Sequence, residues 1–127
     1  MEAANHQLIH LQLALQGKDF NDILVESIDE TITALLSREV LNALYTHIEK
    51  VHSISKDEVP DQLETVYTTL EKTFGVRSSR TISKSVAKTL YAKLDLPFPD
   101  LLGNPGQTLI EYVEDAKMKL QDRGSGS

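Results

Sequence analysis

The sequence contains no cysteine and no tryptophan among its 127 residues, and only 6% of it is aromatic. Without thiols, disulfide staples, zinc–thiolate centres and cysteine nucleophiles are excluded. That is compatible with a reducing cytosol. No apolar run approaches the roughly 20 residues that span a bilayer. The start, MEAANHQ, lacks the basic head and apolar body of a secretory signal. A cytoplasmic protein that stays out of the membrane is expected, folded as one domain, the usual outcome at this length. Net charge is −6. It opposes general attraction to nucleic acid or anionic lipid, so any such contact has to be local.

One further absence is local. Between Arg77 and Lys93 there are five bases and no acid, whereas the remainder holds eight bases against nineteen acids. The two parts carry +5 and −11, so most of the charge information in the chain lies in that one stretch.

What is present reads as helix. Leu63, Val66, Tyr67, Leu70 and Phe74 recur at three- and four-residue steps, behind Asp61 and Glu64 at the spacing of a capping box. Gly75 follows as a helix terminator, with Val76 placed to fold back on Leu70. A second arm then sets Ile82, Val86, Leu90 and Leu94 on one side. At about 100° per residue, Arg77, Arg80, Lys84 and Lys88 gather within roughly 80° on the other side, with Tyr91 among them. Lys93 falls near the apolar flank, where its stem can lie along apolar surface.

Upstream, Phe20, Leu24, Ile28, Ile32 and Leu35 mark an amphipathic helix whose outer side carries Asp22, Glu26, Asp29 and Glu30. Ser37 caps a second helix bearing Val40, Leu41, Leu44, Ile48 and Val51. The short join between them suits antiparallel neighbours. Residues 53–60 read as a connector with a break at Val59, because the residue before a proline avoids helix. Residues 95–106 form a turn-rich loop whose Phe98, Leu101 and Leu102 tuck against the core. Thr108 and Glu111 repeat the capping-box spacing. Leu109, Val113, Ala116 and Leu120 follow as a narrow seam, the pattern of a docking helix or an oligomer interface. Residues 123–127 read as a tail outside the fold. Residues 1–17, with Leu8, Leu11 and Leu15, fit a helix; the alternation from Ile9 to Leu15 also fits a strand added to a partner. The expected fold is all-α, a compact antiparallel bundle of about five helices, with a core over residues 18–98, a loop and a docking or dimerisation helix over 99–122, and the N-terminal segment as a candidate additional helix.

An ordered series of short matches carries a family resemblance: Ile28-Asp29-Glu30, Ala43-Leu44-Tyr45 with His47, Ile48 and Glu49, Glu58-Val59-Pro60, Leu70-Glu71-Lys72 with Phe74-Gly75, and Ala87-Lys88 with Leu90-Tyr91. In these the chain resembles a small archaeal signal-transduction output module, the fifth type of the Nitrosopumilus output domains, over about residues 20–98. The resemblance implies a helical module without established chemistry, and it transfers no functional residue. The sequence departs from that pattern at Ala34-Leu35-Leu36, where a glycine-containing turn belongs, and in the polar run Val76-Arg77-Ser78-Ser79.

Candidate chemistry is sparse. His6 and His10 stand one helical turn apart, a chelating geometry that solvent-facing histidines near a terminus also produce. Glu49 and His52 match one Glu-x-x-His ligand pair of a di-iron bundle, but that site needs the pair twice plus two inward carboxylates. Asp22, Glu26 and Glu30 would serve a hydrolase only in a cleft with shifted proton affinities. The serines between Ser78 and Ser85 have no His–Asp arrangement nearby, and no glycine-rich phosphate loop follows a strand. The expectation is therefore no enzyme, no metal and no cofactor.

Two kinds of function remain. The first is a protein–protein interaction or signalling-output module. It would use Arg77, Arg80, Lys84, Lys88 and Tyr91 as contact surface, and Leu109, Val113, Ala116 and Leu120 as the seam of a homodimer. In the second, nucleic acid or phosphate binds the same basic helix, with Tyr91 as a stacking ring. A solvated basic face is the plainer reading of both. Ser78, Ser79, Thr81, Ser83 and Ser85 lie among the bases, where a phosphate would weaken the positive face.

Overall fold

A computed structural model describes residues 19–99 and 108–125. Among these the chain forms α1 (Phe20–Leu35), α2 (Arg38–His52), a 3-10 segment (Lys56–Gln62), α3 (Leu63–Phe74), α4 (Val76–Lys93) and α5 (Leu109–Ser125), with no strand. The all-α bundle expected from periodicity is what the chain forms. The segment 1–17, His6, His10, Leu101 and Leu102 lie outside the described residues.

Each junction has a local cause. Asp19 accepts the Asp22 amide at 2.9 Å, and Asp22 returns a carboxylate to the Asp19 amide at 3.2 Å, so α1 opens on a reciprocal cap. Ser37 Oγ takes the Val40 amide at 3.1 Å and starts α2 after a turn that contains no glycine. Thr108 and Glu111 form the expected box, with amide contacts of 3.0 and 3.3 Å. The box expected at Asp61 and Glu64 does not form. Glu58 instead accepts the Ser55 amide at 3.0 Å, and 3-10 turns run from Lys56 through Pro60 straight into α3. The expected break at Val59 is thus a 3-10 turn, and Val59 is completely buried. Proline suits this place because 3-10 turns here are short and its missing amide falls near a helix start.

Gly75 alone joins α3 to α4. Its φ of 87° with ψ of 164° belongs to a region essentially reserved for glycine. Its amide donates to Glu71 O at 2.8 Å, and its carbonyl accepts from Ser79 N at 3.0 Å, so one residue ends one helix and begins the next. Val76 does not fold back on Leu70. It enters α4 at once and stays exposed.

The core is one cluster. Ile23, Leu24, Ile28 and Ile32 of α1 meet Leu41, Leu44 and Ile48 of α2, Val66 and Leu70 of α3, Ile82, Val86 and Leu90 of α4, and Leu109 and Val113 of α5. Leu35 and Val51, both expected inside, are exposed because each sits in the last turn of its helix, beyond the packed length. Thr31 Oγ1 meets Thr89 Oγ1 at 3.2 Å, and Glu30 meets Lys93 at 2.7 Å, so α1 and α4 run antiparallel. α5 continues to Ser125, into the stretch read from sequence as a tail.

Candidate binding face

Along α4, Arg77, Arg80, Lys84 and Lys88 are all exposed. Among the described residues none of the four makes an ion pair; Lys88 instead lies 5.9 Å from the centre of the Phe98 ring. The fifth base of the run behaves differently. Lys93 turns toward α1 and pairs with Glu30 at 2.7 Å and Glu26 at 3.8 Å. The acidic ridge of α1 is therefore occupied within the subunit. Its remaining member, Asp22, is engaged in the cap of α1.

Tyr91 is not part of this exposed surface. It is buried at 1% exposure, and its hydroxyl lies 2.8 Å from the Tyr112 carbonyl and 2.5 Å from Asp115 Oδ2. Burial and the Asp115 carboxylate raise its pKa well above the ordinary phenol range. The Lys119 ammonium sits 5.4 Å from its ring centre, while Phe98 packs edge-on at 5.4 Å and stacks on Tyr112 at 5.5 Å. The wheel angle placed Tyr91 with the bases, but angle says nothing of position along the axis. α5 covers the last turn of α4 and takes Tyr91 with it.

The same docking consumes the candidate oligomer seam. Leu109, Val113 and Ala116 are buried in their own subunit, and Leu120 is partly buried against the same core. The 4-3-4 spacing marks an intramolecular helix dock rather than a free seam. Among the hydroxyls considered for modification, Ser79 and Ser83 are fully buried, and only Ser78 and Thr81 are exposed.

Glu49 and His52 are exposed on α2. Among the described residues no group of three or more His, Asp or Glu side chains is placed to hold a metal. A cleft of about 470 Å³ beside α1 is lined mainly by carboxylates, with the Lys56 ammonium 2.8 Å from Asp29. Asp29 also accepts the Tyr45 hydroxyl at 2.6 Å; burial, then that bond, raises the Tyr45 pKa far above its usual value.

A second groove, about 430 Å³, lies between the end of α2 and the outer side of α3. Periodicity did not single it out. Its wall is a run of threonines, Thr65, Thr68, Thr69 and Thr73, in a helix of only 12 residues. Threonine costs roughly 0.5 kcal/mol per helical position relative to alanine, and of the four only Thr69 is buried.

No helix of the described residues is long and apolar enough to cross a membrane. Comparison with protein-family models, with curated proteins and with solved structures finds no match to this chain.

Proposed function

We propose that this domain is a non-catalytic protein–protein interaction module of the signalling-output kind, acting in the cytoplasm through the outer ridge of α4. The observation that carries this reading is the contrast among its bases. Lys93 has found carboxylates at home, whereas Arg77, Arg80, Lys84 and Lys88 stand exposed without an ion pair among the described residues. An unscreened positive strip about 16 Å long, at ~1.5 Å per residue, is complementary to an acidic partner surface and would steer its approach. Nucleic acid is the second reading for the same strip. Four phosphate contacts would give a salt slope of about −3 to −4 on duplex DNA, but with Tyr91 buried that reading has no stacking ring on α4, so a protein partner is favoured. Burial of Leu109 and Val113 likewise withdraws support from a homodimer built on that seam.

The test is a binding measurement with all four bases changed to glutamate. Partner capture lost in the variant and weakened by salt in the wild type supports the proposal. Capture that survives the charge reversal contradicts it. A duplex-binding salt slope near zero removes the second reading.

A further inference from the structure

We propose that the shallow groove between the α4 ridge and the end of α1 seats an acidic amphipathic helix of a partner protein. The inference rests on the ridge as a contact surface and names the chemistry of what it contacts. Thr31 Oγ1 of α1 meets Thr89 Oγ1 of α4 at 3.2 Å. The two helices are antiparallel, so one turn on from that contact the same two rows, at four residues per step, reach Leu35 on α1 and Ser85 on α4. There the packing runs out. The α4 row on this side continues with the short side chains of Ser85 and Thr81, and Leu35, in the last turn of α1, stays 48% exposed. Leu36, the cap residue that follows it, is 43% exposed. At about 100° per residue, Thr81 and Ser85 lie between this leucine side and the bases Arg77, Lys84 and Lys88.

The groove thus has a floor of hydroxyls, an apolar lip on α1 and a basic wall on α4, and among the described residues no carboxylate pairs with that wall. Its complement carries carboxylates along one side and apolar side chains next to them, the make-up of an amphipathic helix. The bases step along α4 by three or four residues, and a helix laid alongside presents its own carboxylates at the same step. A furrow between two packed helices is also the shape that the side-chain ridge of a third helix fills. Covering the two leucines adds an attraction that the phosphate backbone of a duplex would not use.

Amide NMR on the isotope-labelled full chain tests the groove. The probe is a synthetic helical peptide of about 18 residues, five turns, with glutamates along one side and leucines beside them. One control peptide has the same composition with its glutamates spread around the helix, and another is interrupted by a central proline. The expected result is a saturable shift of amides around Leu35, Thr81, Lys84 and Ser85 with the patterned peptide, and binding about tenfold weaker or less with either control. Leu35→Gln should weaken the patterned peptide about fivefold, the effect of losing a half-exposed leucine. Val51→Gln, at a comparably exposed apolar residue in the last turn of α2, should leave it unchanged. Equal binding of all three peptides, or unchanged affinity in Leu35→Gln, would overturn the groove and leave the ridge as a contact surface. No shift along Arg77–Lys88 with any peptide would overturn both. Tighter binding to vesicles of anionic phospholipid than to the patterned peptide would overturn the protein partner in favour of a membrane surface.

Discussion

The two ends of α4 carry the same face of the same helix, yet they meet opposite fates. From Arg77 to Lys88 the ridge is open and positively charged. One turn further on, Tyr91 lies under α5 with its hydroxyl held by Asp115 and the Tyr112 carbonyl. The difference is not in the helix but in what docks on it. α5 brings Leu109, Tyr112, Val113 and Ala116 onto the lower part of the bundle and leaves the upper turns uncovered. A surface defined by helical angle is only half defined; the docked neighbour decides how far along the axis it extends.

That contrast can be broken most severely from the covered end. Leu109→Ala should cost about 2–5 kcal/mol, the range for emptying a buried leucine site, read from denaturant unfolding. If Leu109 served a subunit interface instead, the same change would alter hydrodynamic mass with little loss of monomer stability. Next in size, Gly75→Ala should destabilise by about 1–3 kcal/mol, since no atom obstructs the added carbon but the backbone there disfavours any side chain.

Tyr91→Phe should cost about 1–3 kcal/mol, because the Tyr112 carbonyl and the partly exposed Asp115 carboxylate lose the one hydroxyl proton they share. The raised pKa of Tyr91, shared in direction by Tyr45 and Tyr112, has a pH consequence. Its stabilisation is complete below the unfolded phenol value of about 10 and is lost as pH rises above it. Thermal melts should therefore fall steeply on the alkaline side of that value, and Tyr91→Phe should flatten the fall. The smallest effects belong to charge. Lys93→Met should cost less than about 1 kcal/mol, as for partly exposed ion pairs. Arg80→Glu should change stability by no more than about 0.5 kcal/mol, since Arg80 is exposed and makes no ion pair among the described residues.

Much of this architecture is legible in the amino-acid sequence. Ser37, Gly75 and the Thr108–Glu111 box stand where the helices start and stop, because capping is short-range chemistry between residues three apart. The apolar stripes through Leu24, Leu44, Leu70 and Val86 face the core for the same reason: helical period is a local property. What remained hidden depends on distant partners. Nothing near Tyr91 announces that Asp115 will reach it, and nothing near Lys93 names Glu30. The seam from Leu109 to Leu120 was visible as a seam, but sequence cannot say whether its other half belongs to the same molecule. The threonine wall of α3 went unnoticed because its groove needs α2 as the opposite side. A cue was present in the cluster of Thr65, Thr68, Thr69 and Thr73 within one short helix.

The most direct test of the α4 ridge as a contact surface is quantitative affinity capture from native lysate. It would compare the wild-type domain with a variant in which Arg77, Arg80, Lys84 and Lys88 are glutamate, alongside a control with the exposed Arg38 and Lys50 reversed. The proposed ridge requires that specific partners be retained by wild type and control, lost in the four-fold variant, and released as salt rises. An identical set of partners on all three would mean that the ridge is only solvated helix surface.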